Sequence, residues 1–240
     1  MYGWRCRIGL IIPSDNTVME SEFNKVFHDF SGISVHATRI FLESATVKSL
    51  LKMKEGLKRA ALELKTAEVD IIVYGCTSGS LIKGLNFDRE IIEKIELETK
   101  TKATTTSTAL LAALKELGVK KIAVGTPYSN EINEKVKEFL VDNGFKVTNI
   151  IGLNIIPDVD VGKQEPYVAY NLGKRVNTDD ADCVFLSCTD FRTFEIINPL
   201  EKKLRKPVIS SNQVTLWHIL KLEELGISIK NYGRLLEECL

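Results

Sequence analysis

Runs of apolar, mostly β-branched residues recur along the chain, and most stop at Pro, Ser or Cys: residues 7–13, 33–40, 69–76, 120–127, 146–153, 182–188 and 207–211. Between them lie stretches of helical spacing built from good helix formers, among them 47–67, 107–117 and 130–143. A strand that is apolar along its whole length is covered on both faces, so the alternation predicts parallel sheets flanked by helices. Parallel neighbours need right-handed crossovers, which makes the fold class doubly wound α/β.

The chain also repeats itself. Pro13-Ser14-Asp15-Asn16, after the first strand, is answered by Thr126-Pro127-Tyr128-Ser129-Asn130 after a later one. Val73-Tyr74-Gly75-Cys76-Thr77-Ser78 is answered by Phe185-Leu186-Ser187-Cys188-Thr189-Asp190. The prolines are 114 residues apart and the cysteines 112, so the two halves keep step. A third pair agrees, the segment from Lys102 to Gly118 and that from Lys206 to Gly226. A period of half the chain is no solenoid repeat; it implies two homologous α/β lobes. The expected bounds are 1–113 for the first lobe, completed by 212–240, and 114–211 for the second. Strands of such lobes aim their C-terminal ends at ligands, so two facing lobes bring both cysteine loops into one cleft.

Composition narrows the class of partner. A length of 240 residues suits one large domain or two small ones. Lys+Arg and Asp+Glu both number 32, and a chain with no basic excess carries no electrostatic footprint for nucleic acid or an anionic membrane. No apolar run approaches the roughly 18 residues of a spanning helix. Residues 1–13 carry no small-residue cleavage site, so a signal peptide is not expected. Five cysteines, odd in number and unclustered, are no disulfide framework, and a cytoplasmic protein is expected. A homo-oligomer is the base-rate expectation.

Cys76 and Cys188 each end an apolar strand and are followed by small hydroxyl or acidic residues. A helix is expected shortly after each, and the N–H groups of a helix start lower a thiol pKa. Those N–H groups, with the hydroxyls of Thr77, Ser78 and Thr189, suit a carboxylate. A lone strand-end cysteine is as often a small core residue; two at matched places in a repeat are the informative fact. One can add to a carbon or take its proton while the other gives a proton, with no cofactor. His28, His36 and His218 have no ligand spacing, and neither a phosphate loop nor a dinucleotide fingerprint occurs. Cys6, Cys183 and Cys239 have no repeat partner and read as structural.

In the first proline loop Thr17-x-x-Glu20 fits a capping box for a helix running to about Phe30, which frees the Asn16 amide for the cleft; Asn16 and Asp15 are the competing caps. In the second, Tyr128 puts an aromatic hydroxyl at the matched strand end, a donor for a carboxylate or a plain turn residue.

These loops resemble the aspartate/glutamate racemase superfamily, and within it the maleate cis-trans isomerase and arylmalonate decarboxylase branch. The matching segments are residues 13–20, Gly75-Cys76-Thr77-Ser78-Gly79, Thr126-Pro127-Tyr128, Ser187-Cys188-Thr189 and the tail Asn212-Gln213-Val214-Thr215-Leu216-Trp217-His218. The resemblance implies two pseudo-symmetric Rossmann-like lobes, a cofactor-free site between them and a small dicarboxylate substrate. It implies Cys76 as nucleophile, Cys188 as proton donor, and Asn16, Thr77, Ser78, Tyr128, Thr189 and Asp190 as carboxylate-holding residues. The decarboxylases lack the first cysteine, so Cys76 disfavours decarboxylation. Aligning on Val161-Gly162 sets Asp158 where the isomerases carry Asn. An ionised Asp158 repels a carboxylate and Asp190 adds a second negative charge in the same quarter, which keeps an amino-acid or hydantoin-type racemase beside the leading expectation of a maleate isomerase. A non-catalytic small-carboxylate binder on this fold is the alternative from another class, because fold analogy alone does not choose among them.

Overall fold

The computed structural model describes residues 2–239; Met1 and Leu240, the outer bounds of the expected lobes, lie outside the described residues. Its strands are β1 (Cys6–Pro13), β2 (Ile33–Ile40), β3 (Ile71–Tyr74), β4 (Lys102–Thr105), β5 (Lys121–Thr126), β6 (Lys146–Gly152), β7 (Cys183–Leu186) and β8 (Val208–Ser210). They form two parallel four-stranded sheets of the same order, β2-β1-β3-β4 and β6-β5-β7-β8. The inner strands are apolar because helices cover both faces. Ile8, Leu10, Ile11 and Ile12 of β1 and Val184, Phe185 and Leu186 of β7 are wholly buried.

The expected strands appear with ends shifted by a residue or two, and β4 is an addition. Lys-Ala-Thr-Thr is too polar to register as an apolar run, yet its last three residues are buried between β3 and the neighbouring helices. The stretch expected as one helix over 47–67 is three pieces, Val47–Lys52, a 3-10 turn Met53–Gly56 and Leu57–Thr66. Glycine inside a helical pattern costs about 1 kcal/mol against Ala, and the break falls at Gly56. The helix Ser211–Leu222 follows β8 and packs on the helix Thr106–Glu116 behind β4, with Thr215 Oγ donating to Thr106 Oγ at 3.2 Å.

The repeat extends to side chains that no strand pattern displays. Asp70 accepts from the Arg7 N–H at 2.7 Å and Asp182 from the Lys121 N–H at 2.8 Å, each at the start of its sheet's central pairing. Glu96 and Glu201 accept from the N–H groups of Ala103 and Val208, both at 3.0 Å, pinning the fourth strand of each sheet to the helix before it. The crossovers are thus locked in the same way twice, which sets the C-terminal ends of β3 and β7 in equivalent places.

Candidate active site

A cavity of about 370 Å³ opens where loops from the two sheets meet, and all nine residues singled out by the sequence line it. Gly75 and Ser187 extend β3 and β7, their N–H groups each donating at 2.8 Å to the neighbouring strand, at Ile11 and Gly125. Cys76 and Cys188 follow directly.

Cys76 is the N-cap of the helix Thr77–Leu81, and its sulfur accepts the Gly79 N–H at 3.3 Å. Gly79 is required there: a Cβ would stand 2.8 Å from that sulfur. Ser78 Oγ lies 3.9 Å away. The expected lowering of the thiol pKa is not met. Burial pushes Cys76 up to about 11, the Gly79 and Ser78 hydrogen bonds recover only part, and the charges of Asp15 and Asp158 push further up. The sequence places the helix start, whereas the desolvation comes from segments far along the chain.

Cys188 departs further from expectation. No helix begins directly behind it; the next runs over Phe194–Leu204, so a helix dipole does not act on this thiol. Instead Cys188 takes a left-handed backbone, φ +112°, a conformation that costs an L-residue of order 1–3 kcal/mol and turns the side chain out of the strand direction. Its N–H donates to Ser211 Oγ at 3.0 Å and its sulfur accepts the Asp190 N–H at 3.4 Å. Burial, then the Asp190 charge, holds this thiol well above its ordinary pKa. The Tyr128 hydroxyl stands beside Cys188 and Ser187, and burial keeps it protonated. Both cysteines are therefore thiols at neutral pH.

Several expected carboxylate-holding groups are engaged with protein. Asn16, not Thr17, caps the helix Met19–Phe27: its Oδ1 accepts from Val18 and Met19 at 3.1 and 3.0 Å, so the Thr17 box does not form. Nor is the Asn16 amide released for the cleft, because Nδ2 donates to Thr189 Oγ at 3.0 Å. The Thr189 hydroxyl in turn donates to Gly75 O at 3.1 Å. Thr77 donates to Ser211 Oγ at 2.8 Å, the same atom that accepts from Cys188 N, which joins the two cysteine loops through one hydroxyl. Asp190 Oδ1 accepts from the Thr17 and Val18 amides at 2.6 and 3.1 Å, and burial raises its pKa to about 7. Gly162 lets this pair close, since a Cβ there would press on Asp190 and Thr17. Ser78, Tyr128 and Asp158 keep polar groups for a ligand; Asp158 Oδ2 accepts from Ala45 N, and burial raises its pKa.

Four residues with roles here were not singled out. Ser211 bridges the cysteine loops; Asp15 lines the cavity. Buried Glu22 accepts from Thr193, Phe194 and Asn212 at 3.0, 3.1 and 2.6 Å, and Asn212 also donates to Thr189 O at 2.9 Å. The tail motif beginning at Asn212 was the available signal. For Glu22 there was none, because an acid in the first turn of an amphipathic helix reads as solvated. Among the described residues no cluster of His, Cys, Asp and Glu has the arrangement of a metal site.

The arylmalonate decarboxylase family model matches residues 8–236. Relatives include the maleate isomerase of Geobacillus stearothermophilus, 29% identical with 96% of each chain covered. The arylmalonate decarboxylase of Bordetella bronchiseptica is 26% identical over the same shares. Among solved structures, a cysteine-to-alanine variant of the maleate isomerase Iso of Pseudomonas putida S16, crystallised with maleate, superposes with a TM-score of 0.92 at 28% identity, covering 96% of this chain and 97% of that one.

Proposed function

Since the chain belongs to the arylmalonate decarboxylase family, we propose that it is a cofactor-independent cis–trans isomerase of the maleate type, with Cys76 as nucleophile and Cys188 as proton donor. The observation that carries this reading is the pair of thiols at matched strand ends on one cavity, held differently. Each sulfur accepts one backbone N–H, from Gly79 at Cys76 and from Asp190 at Cys188, but Cys76 caps a helix start beside the Ser78 hydroxyl, which favours its thiolate, whereas burial and the neighbouring Asp190 charge hold Cys188 protonated.

The reaction then runs in balance. The deprotonated fraction of Cys76 adds to one alkene carbon, the π electrons move toward the carbonyl group at the far carbon, and that carbon takes the Cys188 proton. The C–C bond, now single, rotates. The Cys188 thiolate takes the proton back, the alkene re-forms as the trans isomer, and Cys76 leaves with its electron pair. Nothing is consumed, so no redox partner is needed. Cys76 also separates this reading from decarboxylation, where the resemblance supplies only the second cysteine.

A racemase using both thiols as a two-base pair is the second reading, favoured by Asp15, Asp158 and Asp190 around the cavity, which suit an ammonium group. Proton NMR of the protein with maleate, aspartate and glutamate in D2O distinguishes them. The proposal expects the cis vinylic signal of maleate to give way to that of fumarate, and Cys76→Ala to abolish this by at least roughly 10³-fold, the scale of losing a nucleophile. Loss of an amino-acid α-proton signal instead makes the protein a racemase. Ligand binding without change in either signal, unaffected by replacing both cysteines, makes it a binding protein.

A further inference from the structure

The charge around the cavity is one-sided. Its lining carries Asp15, Glu43, Glu131, Asp158 and Asp190 and, among the described residues, no Lys, Arg or His. The nearest offset to Asp15 is Arg39, whose guanidinium is taken by Glu20 at 3.0 Å and by the Asn16 carbonyl. Asp15 and Asp158 also feel each other as like charges, so this wall holds acceptors and negative charge together.

The neutral donors lie by the thiols: Ser78 and Tyr128 bring hydroxyls beside Cys76 and Cys188. One carboxylate is served there. A second carboxylate, across a short carbon chain, would face Asp158, whose Oδ1 takes no hydrogen bond from the described residues while Oδ2 is held by Ala45. Like charges set together at a contact of this kind strongly suppress binding.

Resting on the isomerase reading of this site, we infer that its substrate is a monoanion, the half-amide of a cis-enedioic acid, with the carboxylate at the Ser78–Tyr128 end and the carboxamide N–H2 donating to Asp158. The amide keeps what the chemistry needs: its carbonyl still draws electrons from the alkene, so thiolate addition and return of the proton balance as before. Asp158 is thus the specificity-determining residue, and Asp15 reinforces it through charge.

Binding and turnover test this separately. Cys76→Ala protein, unable to add to the alkene, is titrated calorimetrically at pH 8 with maleamate and with maleate. The inference expects maleamate to bind at least roughly tenfold more tightly, as a penalty from like charge requires. Adding Asp158→Asn should level or reverse that preference; Asp15→Asn, the second variant should the first not fold, should narrow it. Equal or tighter binding of maleate, a ratio that neither variant moves, or binding of neither compound overturns the inference. NMR of the wild-type protein with maleamate then tests the isomerase reading by itself. Preferential binding of maleamate without conversion to the trans half-amide defeats the isomerase assignment and leaves the specificity intact.

Discussion

Cys76 and Cys188 occupy the same place relative to β3 and β7, yet one sits in extended backbone at a helix start and the other in a left-handed turn. Their positions were legible in the sequence because strand, glycine or serine, and cysteine recur in order. Their protonation was not, because a thiol's pKa depends on what buries it, and those groups come from both halves of the chain. With Cys76 pushed up to about 11, its thiolate fraction rises about tenfold per pH unit across the neutral range. Alkylation of the Cys76 peptide by iodoacetamide should therefore rise about tenfold from pH 7 to 8 and again to pH 9, with substrate protecting. Asp158→Asn removes a charge that raises this pKa, so it should quicken alkylation at pH 8. A plateau below pH 8 would mean a thiol already ionised.

At the scale of elements, the two halves cap each other's helices. Asp190, from the loop after β7, receives the amides ahead of the helix Met19–Phe27; Glu22, from that helix, receives the amides opening the helix Phe194–Leu204. Neither contact follows from local pattern: Thr17-x-x-Glu20 is a good local box, and tertiary partners override it. Both carboxyls are raised by burial, Glu22 from 4.5 and Asp190 from 3.8, each to about 7. A carboxyl whose folded pKa lies above its unfolded one holds its proton longer in the fold. Its contribution is thus full below the unfolded pKa and falls as pH rises toward about 7. Calorimetric melting of Glu22→Gln from pH 4.5 to 7.5 should accordingly show a less negative slope of stability against pH than wild type. Parallel curves would show that Glu22 titrates alike folded and unfolded.

Across the whole molecule, two homologous lobes with parallel sheets were readable from seven apolar runs and the half-chain repeat, though the strand order within each sheet was not. β4 and the break at Gly56 were not, because one is too polar and the other too brief an interruption to change a hydrophobic period. The shared cavity was foreseeable from the matched strand ends; of its acidic lining only Asp158 and Asp190 were, because no motif assigns Asp15, Glu43 or Glu131 to it. What the repeat achieves is to set two equivalent loops against each other and join them through Ser211, Thr189 and Asn16. This leaves the thiols facing one volume from two directions. The two thiols divide the labour of the proposed reaction, and the intact mass of Cys188→Ala protein after incubation with maleate and with maleamate tests that division. A stable adduct of one substrate mass on Cys76 is expected, lost when Cys76→Ala is added. An unmodified Cys188→Ala protein, together with a Cys76→Ala protein that still forms the trans product, would contradict it.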